Sequence, residues 1–176
     1  VGSSAFGDED ELAHAYDIDF ALASEPIQDP RLETRALFSE ELLLALPPRH
    51  PLTRKRTVAL ADLQSEPLIV MKEGHCLGDQ VLGFCEGRDF KPRISFRSAQ
   101  LDTVQALVHA GLGISLIPAM AMRNGREDAP VYRPLQSPRP KREIVAVWPK
   151  QRPPSRAAKE FLKIVSARFS KARRSP

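Results

Sequence analysis

Residues 67–85 read PLIVMKEGHCLGDQVLGFC, and the fold turns on how they are parsed. PLIVM, at 67–71, is an unbroken apolar run of the kind that forms a buried strand. After Gly74, the segment LGDQVLGF at 77–84 reads as a short helix. A buried strand feeding directly into a helix is the building unit of an α/β protein. The same stretch holds both cysteines of the chain, Cys76 and Cys85, the first directly after His75.

Working outward, strand-like and helix-like segments continue to alternate. IDFALA (18–23) and ELLLALP (41–47) read as buried strands, the second stopped by Pro47, Pro48 and Pro51 in the loop LPPRHPL. RISF (93–96) is a further strand. Ser98 is an expected N-cap for a helix that puts Leu101, Val104, Leu107 and Val108 on one stripe, and Gly111 closes that helix in a left-handed conformation. GISLIP (113–118) is a short strand, and Pro118 is placed to open another helix. VYRPL (131–135) and REIVAVW (142–148) are strands flanking the connector SPRPK. Ser155 caps a last helix carrying Ala158, Leu162, Val165 and Phe169.

Bulk properties narrow the class. With 42% hydrophobic and 27% charged residues, the 176-residue chain has the composition of a soluble globular protein. Its longest apolar runs are too short to span a bilayer, and VGSSAFGDEDEL at the start lacks the apolar core of a signal peptide. Charge is uneven: residues 1–46 carry 11 of the 22 acids, while residues 150–176 carry nine basic residues and only Glu160 as an acid. No recognition helix or finger accompanies the basic end, so it reads as a solvated helix face rather than a nucleic-acid surface. Two cysteines without a secretory signal imply a reducing compartment, the cytoplasm, where they rest as thiols.

The cysteine spacing has a mechanical consequence. On one continuous helix, nine residues set Cys76 and Cys85 about 13.5 Å apart along the axis and on opposite faces. A disulfide needs Cα atoms within about 4.4–6.8 Å, so the bond requires the helix to unwind. Gly78 and Gly83 each weaken a helix by about 0.5–1 kcal/mol relative to alanine, which makes unwinding cheap. Closing the ten-residue loop covalently offsets about 2.5–3 kcal/mol of chain entropy. Cys76, at a strand-to-helix junction beside His75, is placed for thiolate chemistry, and Cys85, next to Phe84, for burial. Three readings stay open on spacing alone: two packed core thiols, a zinc site from His75, Cys76 and Cys85, or a thiol switch. The zinc set lacks a fourth ligand at useful spacing, and His14, His50 and His109 are scattered. No metal and no cofactor is expected.

LALPPRHPL (44–52), ADLQSEPLIV (61–70) and AGLGISLIPAMA (110–121), in this order, resemble the effector-binding domain of LysR-type transcriptional regulators, from about Asp17 to Phe169. Within that family KEGHCLGDQVLGFC resembles the signature of the OxyR group of hydrogen-peroxide sensors. The resemblance implies a periplasmic-binding-protein-like α/β domain in two subdomains: 1–39 with 143–176 forming part of the first, and 40–142 the second, which carries the cysteines. It implies that Cys76 is the sensing, peroxidatic thiol and Cys85 the resolving one, joined reversibly as a disulfide. It assigns supporting roles to His75, Asp79, Gln80 and Arg142, the last stabilising negative charge at the thiol and on peroxide oxygen. Implied partners are hydrogen peroxide, a cellular disulfide reductant, a second copy through the helix at 100–110, and DNA through a winged helix-turn-helix that has no counterpart in this sequence. The opening strand and helix of the first subdomain also lack a counterpart, and residues 1–15 do not replace them, so that subdomain is expected to be incomplete. A switch, not an enzyme, is expected. The alternatives are an effector domain for a small organic ligand with incidental cysteines, and a thiol peroxidase.

Overall fold

The computed structural model describes residues 18–72, 74–88 and 90–172. Their elements are β1 (Ala21–Ser24), β2 (Leu32–Leu46), β3 (Pro67–Met71), α1 (Cys76–Glu86), β4 (Arg93–Ser98), α2 (Leu101–His109), β5 (Ser115–Pro118), β6 (Val131–Arg133), β7 (Lys141–Pro149) and α3 (Arg156–Ala172). This is the alternating α/β pattern expected from the apolar runs. The expectation for residues 1–15 lies outside the described residues.

The described residues divide into two compact units, one up to Glu40 and from Arg142 onward, the other within Glu41–Lys141. In the first, β7 lies between β1 and β2. β1 runs antiparallel to β7, with Ala21 opposite Val147 and Ser24 opposite Ile144. α3 covers a small core of Leu37, Ala146, Trp148 and Leu162, joined by Phe20, Phe38 and Val165. Phe38 and Phe169 stack with ring centroids 3.9 Å apart. The Ser155 hydroxyl accepts from the backbone N–H of Ala158, the N-cap expected of it. Asp19 accepts from the Ser155 N–H, and that hydrogen bond holds its carboxyl below the usual carboxylate range.

The second unit holds the larger core. β3 and β4 are parallel neighbours, and the end of β2 pairs antiparallel with both β5 and β6. Leu42, Leu44, Leu46, Ile69, Ile117 and Leu135 are among its fully buried side chains. β3 is locked to the segment before β5 by two short bonds, Ile69 N–H to the Ile114 carbonyl and Ile114 N–H to the Pro67 carbonyl, each 2.8 Å. This close approach demands glycine at 113. A Cβ there would lie 2.4 Å from the Pro67 oxygen and 3.1 Å from the Ile69 side chain. Gly113→Ala therefore overpacks a backbone junction, and we expect it to cost about 1–3 kcal/mol, read as a lowered midpoint in denaturant.

Three local expectations differ from what forms. β2 is 15 residues long and begins at Leu32, not at residue 41. Its first half opens with exposed Glu33, Thr34 and Arg35, so it lacks the continuous apolar run of its second half. The N-cap of α2 is Gln100, not Ser98; Ser98 ends β4 and its hydroxyl accepts from the Gln100 N–H instead. Pro118 opens only a three-residue 3-10 turn, Ala119–Ala121. Gly111 does follow α2 with φ +86°, the left-handed stop anticipated for it.

Candidate functional site

β3 delivers the chain to the site. Its last carbonyls face α1 so closely that a Cβ at Gly78 would lie 2.8 Å from the Met71 oxygen. His75 is the N-cap of α1, and its side chain accepts from the Leu77 N–H through Nδ1. Cys76 is then the first helical residue, where unpaired N–H groups and the helix dipole favour negative charge.

Both cysteines lie in this one helix as free thiols, in contrasting surroundings. Cys76 is partly exposed, whereas Cys85 is 1% exposed and packs in the larger core beside Leu77 and Val81. Burial pushes the Cys85 thiol up to about 11; nearby Arg88 opposes that rise and Glu86 adds to it. Nine helical residues keep the two sulfurs' attachment points about 13.5 Å apart along the axis. That separation excludes a shared metal ion as well as a bond within the intact helix.

Asp79 and Gln80 follow Cys76 at i+3 and i+4, which places them on its helical face. Asp79 is exposed and Gln80 partly buried. Four of the six expected site residues thus gather on the first turns of α1, with Cys85 at its far end. Arg142 is different. It belongs to the other compact unit, where its Nε donates to Glu40 Oε1 at 2.6 Å and its Nη2 reaches the same oxygen. Glu40 is buried and the Arg142 side chain is 17% exposed, so the pair is partly buried. Nothing in the sequence marked Glu40 as the partner, because it stands 102 positions from Arg142.

Reading the sequence also missed the closure of α1. The Cys85 carbonyl accepts from the N–H groups of Arg88 and Phe90, at 3.0 and 3.1 Å. The Arg88 side chain donates to the Phe84 carbonyl at 3.0 Å. The only signal was a glycine, Gly87, where the helix ends.

The different settings of the two thiols predict different reactivity. At pH 8 a thiol titrating near 11 is ionised to about one part in a thousand. Iodoacetamide should therefore alkylate Cys76 at least tenfold faster than Cys85, measured by peptide mass spectrometry; equal rates would contradict the assigned burial. The folded state holds the Cys85 proton more tightly than a chain titrating at the ordinary 9.0, so stability is full below about pH 9 and falls as pH rises toward 11.

Comparison with known proteins places this geometry in context. The family model described as the LysR substrate binding domain matches residues 8–170. The DNA-binding transcriptional dual regulator OxyR of Escherichia coli K12 is 41% identical over 113 residues, which are 64% of this chain and 37% of that protein. The chain therefore spans well under half the length of this curated relative. A crystal structure of the reduced form of OxyR superposes with a TM-score of 0.76 at 31% identity, covering 91% of this chain and 75% of the other. One of the oxidised form of OxyR gives 0.71 at 29% identity, covering 92% and 78%. Among the described residues no helix is long and apolar enough to cross a membrane.

Proposed function

The chain belongs to the LysR substrate-binding-domain family, and from that premise we propose that it is an OxyR-like regulatory domain that senses hydrogen peroxide through a reversible Cys76–Cys85 disulfide. The observation that carries the reading is one helix bearing two unlike thiols: one accessible at its first position, the other buried in the core near its end. Packing alone explains Cys85 but gives no reason for a partly exposed cysteine at a helix N-terminus.

The chemistry runs in two balanced steps. The Cys76 thiolate attacks one peroxide oxygen, the O–O bond breaks, and hydroxide leaves to take a proton as water, giving a sulfenic acid. α1 then opens and the Cys85 sulfur attacks the Cys76 sulfur; the S–S bond forms and the sulfenic oxygen departs as water. Two electrons pass from the dithiol to the peroxide. His75 caps the helix until that opening, and Asp79 and Gln80 flank the reacting thiol. A thiol reductant resets the pair in a reducing, cytoplasmic setting.

The unit containing 41–141 is the second subdomain and the remainder belongs to the first. α2 mates with a second copy, and DNA is engaged through a separate winged helix-turn-helix region. Breaking one helix and sealing it open changes the surface that such a dimer presents.

The test is stoichiometric peroxide on the reduced protein, followed by non-reducing peptide mapping. A Cys76–Cys85 cross-link within one chain is expected. Sustained consumption of peroxide with a thiol donor would instead indicate a peroxidase, and a failure to form the bond at any dose would remove the sensor reading.

A further inference from the structure

The last turn of α1 is tied down by a side chain from just beyond it. Arg88 reaches back one turn, donates from Nη1 to the Phe84 carbonyl at 3.0 Å, and lays its guanidinium 3.9 Å from the centroid of the Phe84 ring. Both contacts act at the carbonyl end of the helix, where a cation is favoured and where orphan carbonyls need donors. Phe84 is the residue before Cys85, so whatever fixes the one fixes the other. The Arg88 and Phe90 N–H groups close on the Cys85 carbonyl, and buried Phe90 seats the chain after the turn.

We propose that Arg88 is a positioning residue, a latch that holds Cys85 in the core and sets how readily the dithiol converts to the disulfide. This rests on the peroxide-sensing reading above and adds to it a determinant of the redox equilibrium. The latch geometry depends on the last turn of α1, which sets the Phe84 carbonyl and ring beside Arg88 just past the helix end. Opening α1 removes it, so Arg88 stabilises the dithiol state and not the cross-linked one, and only such a difference shifts an equilibrium.

Gly83 works against the latch. It is exposed on the same turn, and a Cβ there would meet nothing within 4 Å. No steric demand requires glycine at this position, in contrast to Gly78 on the preceding turns. Its effect is to loosen the helix by the entropy that glycine carries. Two exposed positions five residues apart therefore push the same equilibrium in opposite directions.

The experiment equilibrates the 176-residue chain with mixtures of reduced and oxidised glutathione, where one glutathione disulfide is exchanged for two glutathione thiols as the protein bond forms. The fraction of Cys76–Cys85 bond is read by mass spectrometry, and hydrogen exchange of the α1 amides is measured in the reduced state. Arg88→Ala should raise the equilibrium constant for disulfide formation about five-fold or more, because it removes a cation–π contact and a charge-assisted hydrogen bond. Arg88→Lys, which keeps the charge but not the planar fork, should fall between. Gly83→Ala should lower the constant about two- to five-fold and slow exchange.

An unchanged constant in Arg88→Ala with faster α1 exchange would overturn the latch and leave the sensor reading intact. Unchanged α1 exchange would overturn it as well. A wild-type protein that forms no bond at any glutathione ratio would sink the sensor reading, and the latch with it.

Discussion

Peroxide-treated Cys85→Ser accumulates a sulfenic acid on Cys76 and forms no internal disulfide. This is the largest chemical effect expected of any single substitution, a change from near-complete cross-linking to none. Cys76 stands partly exposed at the first helical position, so it meets peroxide first. Cys85 is buried, and burial pushes its thiol up to about 11, so it is not expected to compete for peroxide. Removing Cys85 leaves the first oxidation intact and deletes its resolution. Dimedone trapping followed by mass spectrometry reads the intermediate directly. Cys76→Ser should show neither the adduct nor the bond. An adduct on Cys85 in that variant would reverse the assigned roles.

The largest stability effect is expected at Arg142. Its guanidinium is bonded to Glu40, whose side chain is 5% exposed. Arg142→Ala removes this cation from a buried carboxylate, a loss of about 3 kcal/mol, the low end for a buried pair because the Arg142 side chain is 17% exposed. Denaturant titration at neutral pH measures it. Replacing both members by apolar residues of similar volume, as in Glu40→Leu with Arg142→Met, should recover most of the loss, since a buried pair and a hydrophobic pair are close in stability.

These expectations show which parts of the molecule the sequence makes legible. PLIVM forms a strand over the residues its apolar run marks, because a short buried strand is specified locally by side-chain type. The stop after α2 at Gly111 and the cap of α3 at Ser155 were readable for a similar reason: each depends on one residue's backbone freedom or one hydroxyl. The first half of β2 was not readable. Its apolar positions are diluted by Glu33 and Arg35 on exposed sites, and its strand conformation comes from pairing within the sheet.

The candidate site divides the same way. His75, Cys76, Asp79 and Gln80 fall together because they are neighbours in sequence on one helix, so their grouping needs only the helix period. The partner of Arg142 depends on a contact between residues 102 positions apart. The Arg88 latch depends on where α1 ends, a boundary that periodicity fixes only to within a turn.

The central claim is that the disulfide forms only when α1 gives way. Hydrogen exchange of the amides from 77 to 86, compared between the reduced and the peroxide-treated protein, tests it most directly. In the reduced protein these amides should exchange slowly, held by the helix and by its closure at the Cys85 carbonyl. After peroxide, with the Cys76–Cys85 bond verified in the same sample, their protection should collapse while that of β3 and β5 persists. A sample carrying the bond with α1 protection unchanged would contradict the claim.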